Sequence, residues 1–498
     1  MHRTRLVCAV LIFITLGAPW LYGKIIGDGP VLLAHVDQQK IDAGELSFQE
    51  IFDSGKFLFS AKFNTFDGQG RPGTRGDGMP RVSGSAPRFI RTSGPDANSC
   101  AGCHNDPFPG AAGDIVANVF VLSQALDPVN PSVSGDFSNE RNTLGMHGSG
   151  VIEMLAREMS SELIAARTAA LTEAARTGAA VTKPLLAKGV SFGSITASPG
   201  GIVDTSGVSG VNPDLIIRPF HQKGVVRSLR EFSNNAFNHH HGLQSAERFG
   251  AGDPDGDGLS NELTAGDITA ATIWQAALNT PGQVIPNDGQ VARAIIRGER
   301  TFSLIGCASC HVPELELSST AFSEPNPFNV AGNLRIEDVP KPFRFDLTKD
   351  GPLPRPEKTP DGRVIVRAYT DLKRHDLCDA ELQHFCDEKI VQAGVPTRQF
   401  LTRKLWDAGN TAPYGHHGDL TTLTEAIHEH GGEGRVSRDA FFALHPPARA
   451  DVIEFLKSLQ ILPEGTPALV VDDKYRPLDK ETLAASVGAI APDQLQRH

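Results

Sequence analysis

The sequence predicts a mainly α-helical chain, two compact helical units wrapped by long irregular loops with small β hairpins between them. Three observations lead there. Runs with apolar residues at helical spacing recur along the chain. Glycine (50) and proline (34) are abundant between those runs, which favours helices joined by loops over a regular sheet. One five-residue word occurs twice, as Cys100-Ala101-Gly102-Cys103-His104 and Cys307-Ala308-Ser309-Cys310-His311, and each copy calls for its own small fold.

The word is C-x-x-C-H, the attachment signature of a c-type haem. Two thiols at this spacing can form thioethers to the two vinyl groups of one porphyrin, and the adjacent imidazole reaches the iron from the proximal side. A bare C-x-x-C can be redox-active or bind zinc; a histidine following both copies argues against two unrelated disulfide or zinc half-sites. The expectation is two covalently bound c-type haems in two cytochrome-like haem domains. Length (498 residues), hydrophobic content (40%) and charged content (21%) fit a globular chain of two or three domains. The net charge of −11 argues against nucleic acid as a partner.

In chain order, His2, Arg3 and Arg5 precede an apolar run over 6–16 that Gly17 to Pro19 ends, the pattern of an export signal. Residues 1–23 are read as a signal peptide, or as an anchor if the apolar run extends through Leu21. Cys8 sits too early for a lipid attachment site and reads as a small apolar residue. Residues 24–95 read as a loop-rich lead-in, Gly-rich around 67–84. The first haem domain is placed at 96–290. It has helices at 153–177, 229–237 and 270–278, and an alternating Gly/Ser/Thr-rich stretch at 190–209 that suggests a hairpin. The second is placed at 291–462, with helices at 291–304, 425–430 and 438–461 and a Pro-rich connecting loop at 325–360. Residues 463–498 read as a C-terminal surface extension. Cys378 and Cys386 flank a short helix or turn and, in an oxidising compartment, suggest a local disulfide.

His104 and His311 are the proximal candidates. His430 precedes Gly431-Gly432 at a helix end, where a turn can aim an imidazole at an iron; a surface histidine favoured by the helix dipole is the other reading. His416 and His417 lie between Gly415 and Gly418, as in a loop that approaches a haem closely. Met146 and His147 offer a thioether and an imidazole to the first iron. His221 and the run His239-His240-His241 suggest a distal pocket that moves protons during O–O cleavage, against an exposed polar turn. Asp253, Asp255, Asp257 and Glu262 form a D-x-D-x-D-G loop suited to Ca²⁺, with Gly258 permitting the turn. It departs from an EF-hand, because position twelve is Thr264.

With these residues in view, the chain resembles the di-haem oxidoreductases related to bacterial di-haem cytochrome c peroxidases, over about 45–462. The resemblance is carried by both haem words, by Arg218-Pro219-Phe220-His221-Gln222-Lys223-Gly224 with Ser228-Leu229-Arg230-Glu231-Phe232, and by Leu405-Trp406 through Gly432. It implies His311/His430 ligation of the second haem, since His430 falls where the peroxidases place a methionine after a Thr-Leu-x-Glu-Ala stretch. Two imidazoles lower the potential relative to His/Met. His416 matches the histidine of an Ala-Pro-Tyr-x-His-Asp-Gly word, with His417 in place of its aspartate. The inter-haem tryptophan of a Phe-Trp-Asp-Gly word has no counterpart in Phe220-His221-Gln222-Lys223, and the distal Gln and Glu of the peroxidases are not matched, although Glu231 and His239 to His241 lie in that region.

The implied function is an exported oxidoreductase whose second haem relays electrons to a first haem that reduces peroxide or another small oxidant. The implied partners are a small redox donor, a cytochrome or cupredoxin, and the oxidant. The location would be periplasmic or extracellular, with membrane attachment only through an uncleaved N-terminal segment. Two alternatives share the resemblance: a non-enzymatic electron carrier with both irons six-coordinate, and an oxygenase resembling the di-haem rubber-cleaving enzymes.

Overall fold

Two helix pairs of the same construction organise the computed structural model, which describes residues 27–70, 97–113, 116–121, 138–253, 256–386 and 391–487. The export signal expected at 1–23 lies outside those residues. In the first pair, helix Phe48–Ser60 crosses helix Ala265–Ala277, and a Cβ on Gly55 would stand 2.1 Å from the Ala270 carbonyl oxygen. In the second, helix Gly289–Leu304 crosses helix Pro446–Ser458, and a Cβ on Gly298 would stand 1.9 Å from the Asp451 carbonyl oxygen. Only glycine lets two backbones approach so closely. Four residues after each glycine comes a phenylalanine that meets an aromatic ring of the partner helix, Phe59 with Trp274 at 4.2 Å and Phe302 with Phe455 at 5.4 Å. Each C-x-x-C-H word follows such a phenylalanine in the chain.

Helix outweighs strand, 37% to 15%, and the sheets have two or three short strands, so the mainly-α expectation holds at that level. The longest helix, Ser149–Thr177, begins after Gly148 and ends at Gly178, both left-handed. Its N-terminal half buries Val151, Ile152, Leu155, Met159 and Leu163. The Ala265–Ala277 helix is buried along nearly its whole length and starts from a Thr264/Asp267 capping box.

Several elements differ from expectation. The lead-in carries the Phe48–Ser60 helix, capped by Ser47 and Glu50, with Ile51, Leu58 and Phe59 in the main core. The hairpin starts earlier than 190: strand Val181–Ala187 pairs with Val190–Ala197, turning at Lys188 and Gly189, both at positive φ. Within 325–360, strand Phe343–Asp346 pairs with Ala321–Glu324. The stretch 438–461 holds the end of helix Arg435–Ala443 and then helix Pro446–Ser458, which opens with His445 as its cap and proline in its first turn. The tail is not a mere surface extension. Val470–Val471 pairs in parallel with Gly282–Val284, and Leu478 and Leu483 pack on Ile285, Ala292 and Ile295. Cys378 and Cys386 are disulfide-bonded, with Cα atoms 5.2 Å apart. Among the described residues no helix is long and apolar enough to cross a membrane.

Candidate haem sites

Each C-x-x-C-H word folds into one 3-10 turn, Cys100–Gly102 and Cys307–Ser309. In both, the histidine amide donates to the carbonyl of the first cysteine at 3.0 Å. All six side chains of the two words line one continuous cavity of about 410 Å³. Burial pushes the Cys100 and Cys307 thiols up to about 12, and the four cysteines of the words are not disulfide-bonded.

The histidines show how such a cavity could hold iron. His104 Nδ1 lies 3.0 Å from the Leu144 carbonyl and 3.3 Å from that of Ala111. His311 Nδ1 lies 3.1 Å from the Tyr369 carbonyl, and His430 Nδ1 2.7 Å from the Ala426 carbonyl. A carbonyl only accepts, so Nδ1 carries the proton in all three rings and Nε2 keeps a lone pair, the tautomer of a metal-ligating imidazole. Burial, with the neighbouring His240, pushes His104 down to about 4. Burial, with His430, does the same to His311, and burial lowers His430. All three are therefore neutral at pH 7. The His311 and His430 ring centroids are 6.4 Å apart. Two metal–nitrogen bonds of about 2 Å plus roughly 1 Å from each nitrogen to its ring centre span a similar length. The spacing of this pair fits two imidazoles on one metal.

Across from His104 the sequence offered several candidates, and the structure separates them. Leu144 accepts from His104 Nδ1, so His104 Nε2 faces away from that carbonyl. Met146 reaches the cavity wall, but buried His147 turns its Nδ1 to Asn279 Oδ1 at 2.7 Å and lies off that wall. His240, His241 and His221 do line the cavity. The charge of His240 bears on both His104 and His221. His241 Nδ1 donates to the Ala97 carbonyl at 2.7 Å, and its Nε2 lies 3.6 Å from Cys100 Sγ. The triple histidine sits in a π-helical turn, Phe237–His241, that extends helix Leu229–Ala236. Such turns are rare and recur at functional sites.

His239 is not on the cavity wall. Neither is Glu231, whose carboxylate accepts from the Arg227 amide at 3.0 Å and pairs with the Arg227 side chain, a helix-start role. His416 lines the cavity, is 4% exposed and has no hydrogen-bond partner at either nitrogen. It packs against Phe400 at 4.6 Å and His417 at 3.7 Å, and burial, His417 and nearby cations hold it well below the usual imidazole range.

In the described part of the acidic loop the carboxylates accept from backbone amides. Asp253 accepts from the amides of Asp257 and Gly258, Asp257 from that of Leu259, and buried Glu262 from that of Gln244. Glu262 packs against Gly68, and among the described residues no three carboxylates there converge. Asp255 lies outside the described residues.

Other residues at the cavity were not singled out from sequence. His375 donates from Nε2 to Asp371 and from Nδ1 to Glu433, both at 2.8 Å, and approaches Cys310 Sγ at 4.0 Å. Burial works against its charge, but the Asp371, Cys310 and Glu433 contacts win and raise it to about 11. Arg141, Arg403, Lys404 and Asp407 also line the wall. No motif marks them, because they come together only through the fold.

Residues 360–459 match the family described as "Di-haem oxidoreductase, putative peroxidase", a stretch that includes His430 and neither C-x-x-C-H word. The resemblance read from the sequence is thus shown over that stretch, which holds His375, Lys404, His416 and His430. Among solved structures, the chain is similar to hydrazine synthase of Kuenenia stuttgartiensis pressurized with xenon. Identity is 13%, the match covers 92% of this chain and all of that one, and the TM-score is 0.35, too low to carry any argument. No curated protein matches the chain.

Proposed function

We propose that the protein is an exported di-haem c-type cytochrome oxidoreductase in which the second site passes electrons to the first, where peroxide or another small oxidant is reduced. One observation carries the reading: both C-x-x-C-H words and His430 face a single cavity, and all three imidazoles keep Nε2 for a metal. Cys100 and Cys103 would attach one haem with His104 as proximal ligand; Cys307 and Cys310 would attach the other, between His311 and His430. When bound, the haems supply one-electron iron chemistry that no side chain offers.

The remaining roles belong to the chain. His240 and His241 form the wall beside His104 and can hold or pass a proton at an imidazole nitrogen. Burial, with Arg141 and His240, pushes His221 down to about 4, so it is neutral at pH 7 and can accept a proton. Arg141, Arg403 and Lys404 offset anionic groups inside the cavity. The Cys378–Cys386 disulfide supports an oxidising compartment, and so export. A small cytochrome or cupredoxin is the proposed donor.

The test is peroxide consumption by haem-loaded protein with a reduced cytochrome as donor. Saturable turnover well above that of free haem is expected; turnover no better than free haem refutes the reading. The electron-carrier alternative rests on the nearness of His240 to His104, which could close the first iron. Two low-spin ferric centres that stay low-spin on half-reduction would favour it.

A further inference from the structure

The two proximal histidines are linked by a short strap of this chain. His104 Nδ1 donates to the Leu144 carbonyl at 3.0 Å. The next carbonyl, that of Gly145, accepts from Lys404 Nζ at 3.4 Å. One residue further, the Leu405 amide donates to the Ala368 carbonyl at 3.0 Å. The residue after Ala368 is Tyr369, whose carbonyl accepts from His311 Nδ1 at 3.1 Å. The Arg403 carbonyl also bears on His311. From one imidazole to the other the path is covalent backbone interrupted by four hydrogen bonds, and only one of them depends on a side chain outside the two histidines, that of Lys404.

The surroundings hold this strap in one place. Asp407 accepts from Arg403 at 3.0 Å and lies so close to Gly145 that a Cβ there would stand 2.4 Å from Asp407 Oδ2. Trp406 is 1% exposed and fills the space left by Gly148, whose Cβ would meet its ring at 2.4 Å. Lys404 faces the cavity, and a lysine there carries a desolvation cost that a purely structural strap would avoid.

We propose that the strap Arg403–Leu405 is the through-bond connection between the two sites, with Lys404 as its positioning residue. The inference rests on the di-haem reading. In the step it serves, one electron leaves the reduced second centre and arrives at the oxidised first, with no other bond made or broken.

The experiment compares wild type, Lys404→Met and Lys404→Arg as haem-loaded full chains. Haem content is read first, from absorbance after denaturation in alkaline pyridine. The midpoint potentials of both centres are read next by spectroelectrochemical titration. Last, the second centre is reduced with a photochemical reductant and electron equilibration with the first is followed optically. Lys404→Met keeps the length of the chain and removes the donor, and a methionine is tolerated in a buried site better than a lysine. Two haems per chain are expected, with equilibration slowed about tenfold in Lys404→Met beyond whatever change in driving force the two measured midpoint potentials account for. Lys404→Arg, which keeps a donor, should restore most of the rate. Equal rates in wild type and Lys404→Met at two haems per chain overturn the strap and leave the di-haem reading standing. Fewer than two haems in the wild type overturns that reading itself.

Discussion

Replacing His375 with glutamine should destabilise the second site in a pH-dependent way. His375 sits on strand Arg374–Asp376, and its partner Glu433 lies three residues beyond His430, so the contact ties the His430 turn to the sheet. Its two ion pairs are unequal. The Asp371 side chain is 3% exposed, whereas that of Glu433 is 53% exposed and screened by water. The Glu433 pair is worth about 1 kcal/mol at most. Breaking the Asp371 pair leaves a buried carboxylate without its cation, a loss of about 3–5 kcal/mol, and glutamine restores part of it through one amide donor. The net expectation is about 3 kcal/mol, since a charge-assisted bond exceeds a neutral one by roughly twofold.

The sign with pH follows from the raised value. His375 titrates near 6.5 when unfolded and near 11 when folded. Its contribution is therefore fully present below about pH 6.5 and is lost as pH rises toward 11. Urea unfolding of wild type and His375→Gln at several pH values measures the gap through the midpoint at constant slope. The gap should be largest near pH 6 and shrink steadily above it. A gap under about 1 kcal/mol at pH 6, or one that widens with rising pH, would show that His375 is not the doubly held imidazolium described above.

Further outcomes follow from the same geometry. His430→Met should raise the potential of the second centre while haem content stays at two, because a thioether replaces an imidazole; an unchanged potential in a redox titration would place the ligand elsewhere. Gly113→Ala should disrupt the first site, since its Cβ would stand 1.7 Å from the Cys103 carbonyl oxygen; a loss of about 1–3 kcal/mol in thermal unfolding is expected, with less haem retained at Cys100 and Cys103. Arg230→Met should cost about 3–5 kcal/mol near pH 7, because Glu324 and Glu247 would be left buried without their cation; the loss should shrink in acid as Glu324, whose carboxyl burial already pushes up, takes up a proton. Chelation of Ca²⁺ should leave the thermal midpoint of the full chain unchanged, because Asp253 and Asp257 spend carboxylate oxygens on turn amides; a fall of several degrees would mean that a cation gathers the loop.

The C-x-x-C-H words were legible because attachment chemistry fixes residue types at fixed local spacing, and His430 through its place before Gly431-Gly432 and the resemblance to the peroxidases. Helix Ser149–Thr177 was legible from its periodicity. Helix Phe48–Ser60 had a local signal that went unread, the Ser47/Glu50 capping box ahead of Ile51, Phe52 and Phe59. Met146 and His147 illustrate the opposite case. Their residue types suit an iron, but only the fold shows that Met146 reaches the cavity wall while His147 turns its Nδ1 to Asn279 and lies off it. Glu262 suited a cation by spacing and instead accepts from the Gln244 amide. Lys404, Asp407 and His375 carried no sequence signal, because their partners are supplied by strands and turns distant in the chain.

The central claim is that this cavity carries two covalently attached haems. It is tested most directly by the intact mass of the denatured protein after expression in a host that exports and matures c-type cytochromes. A mass increase of two haems that survives denaturation, reduced to one in Cys100→Ser/Cys103→Ser and likewise in Cys307→Ser/Cys310→Ser, is the predicted result. A chain that leaves such a host folded and carries one haem or none would contradict it.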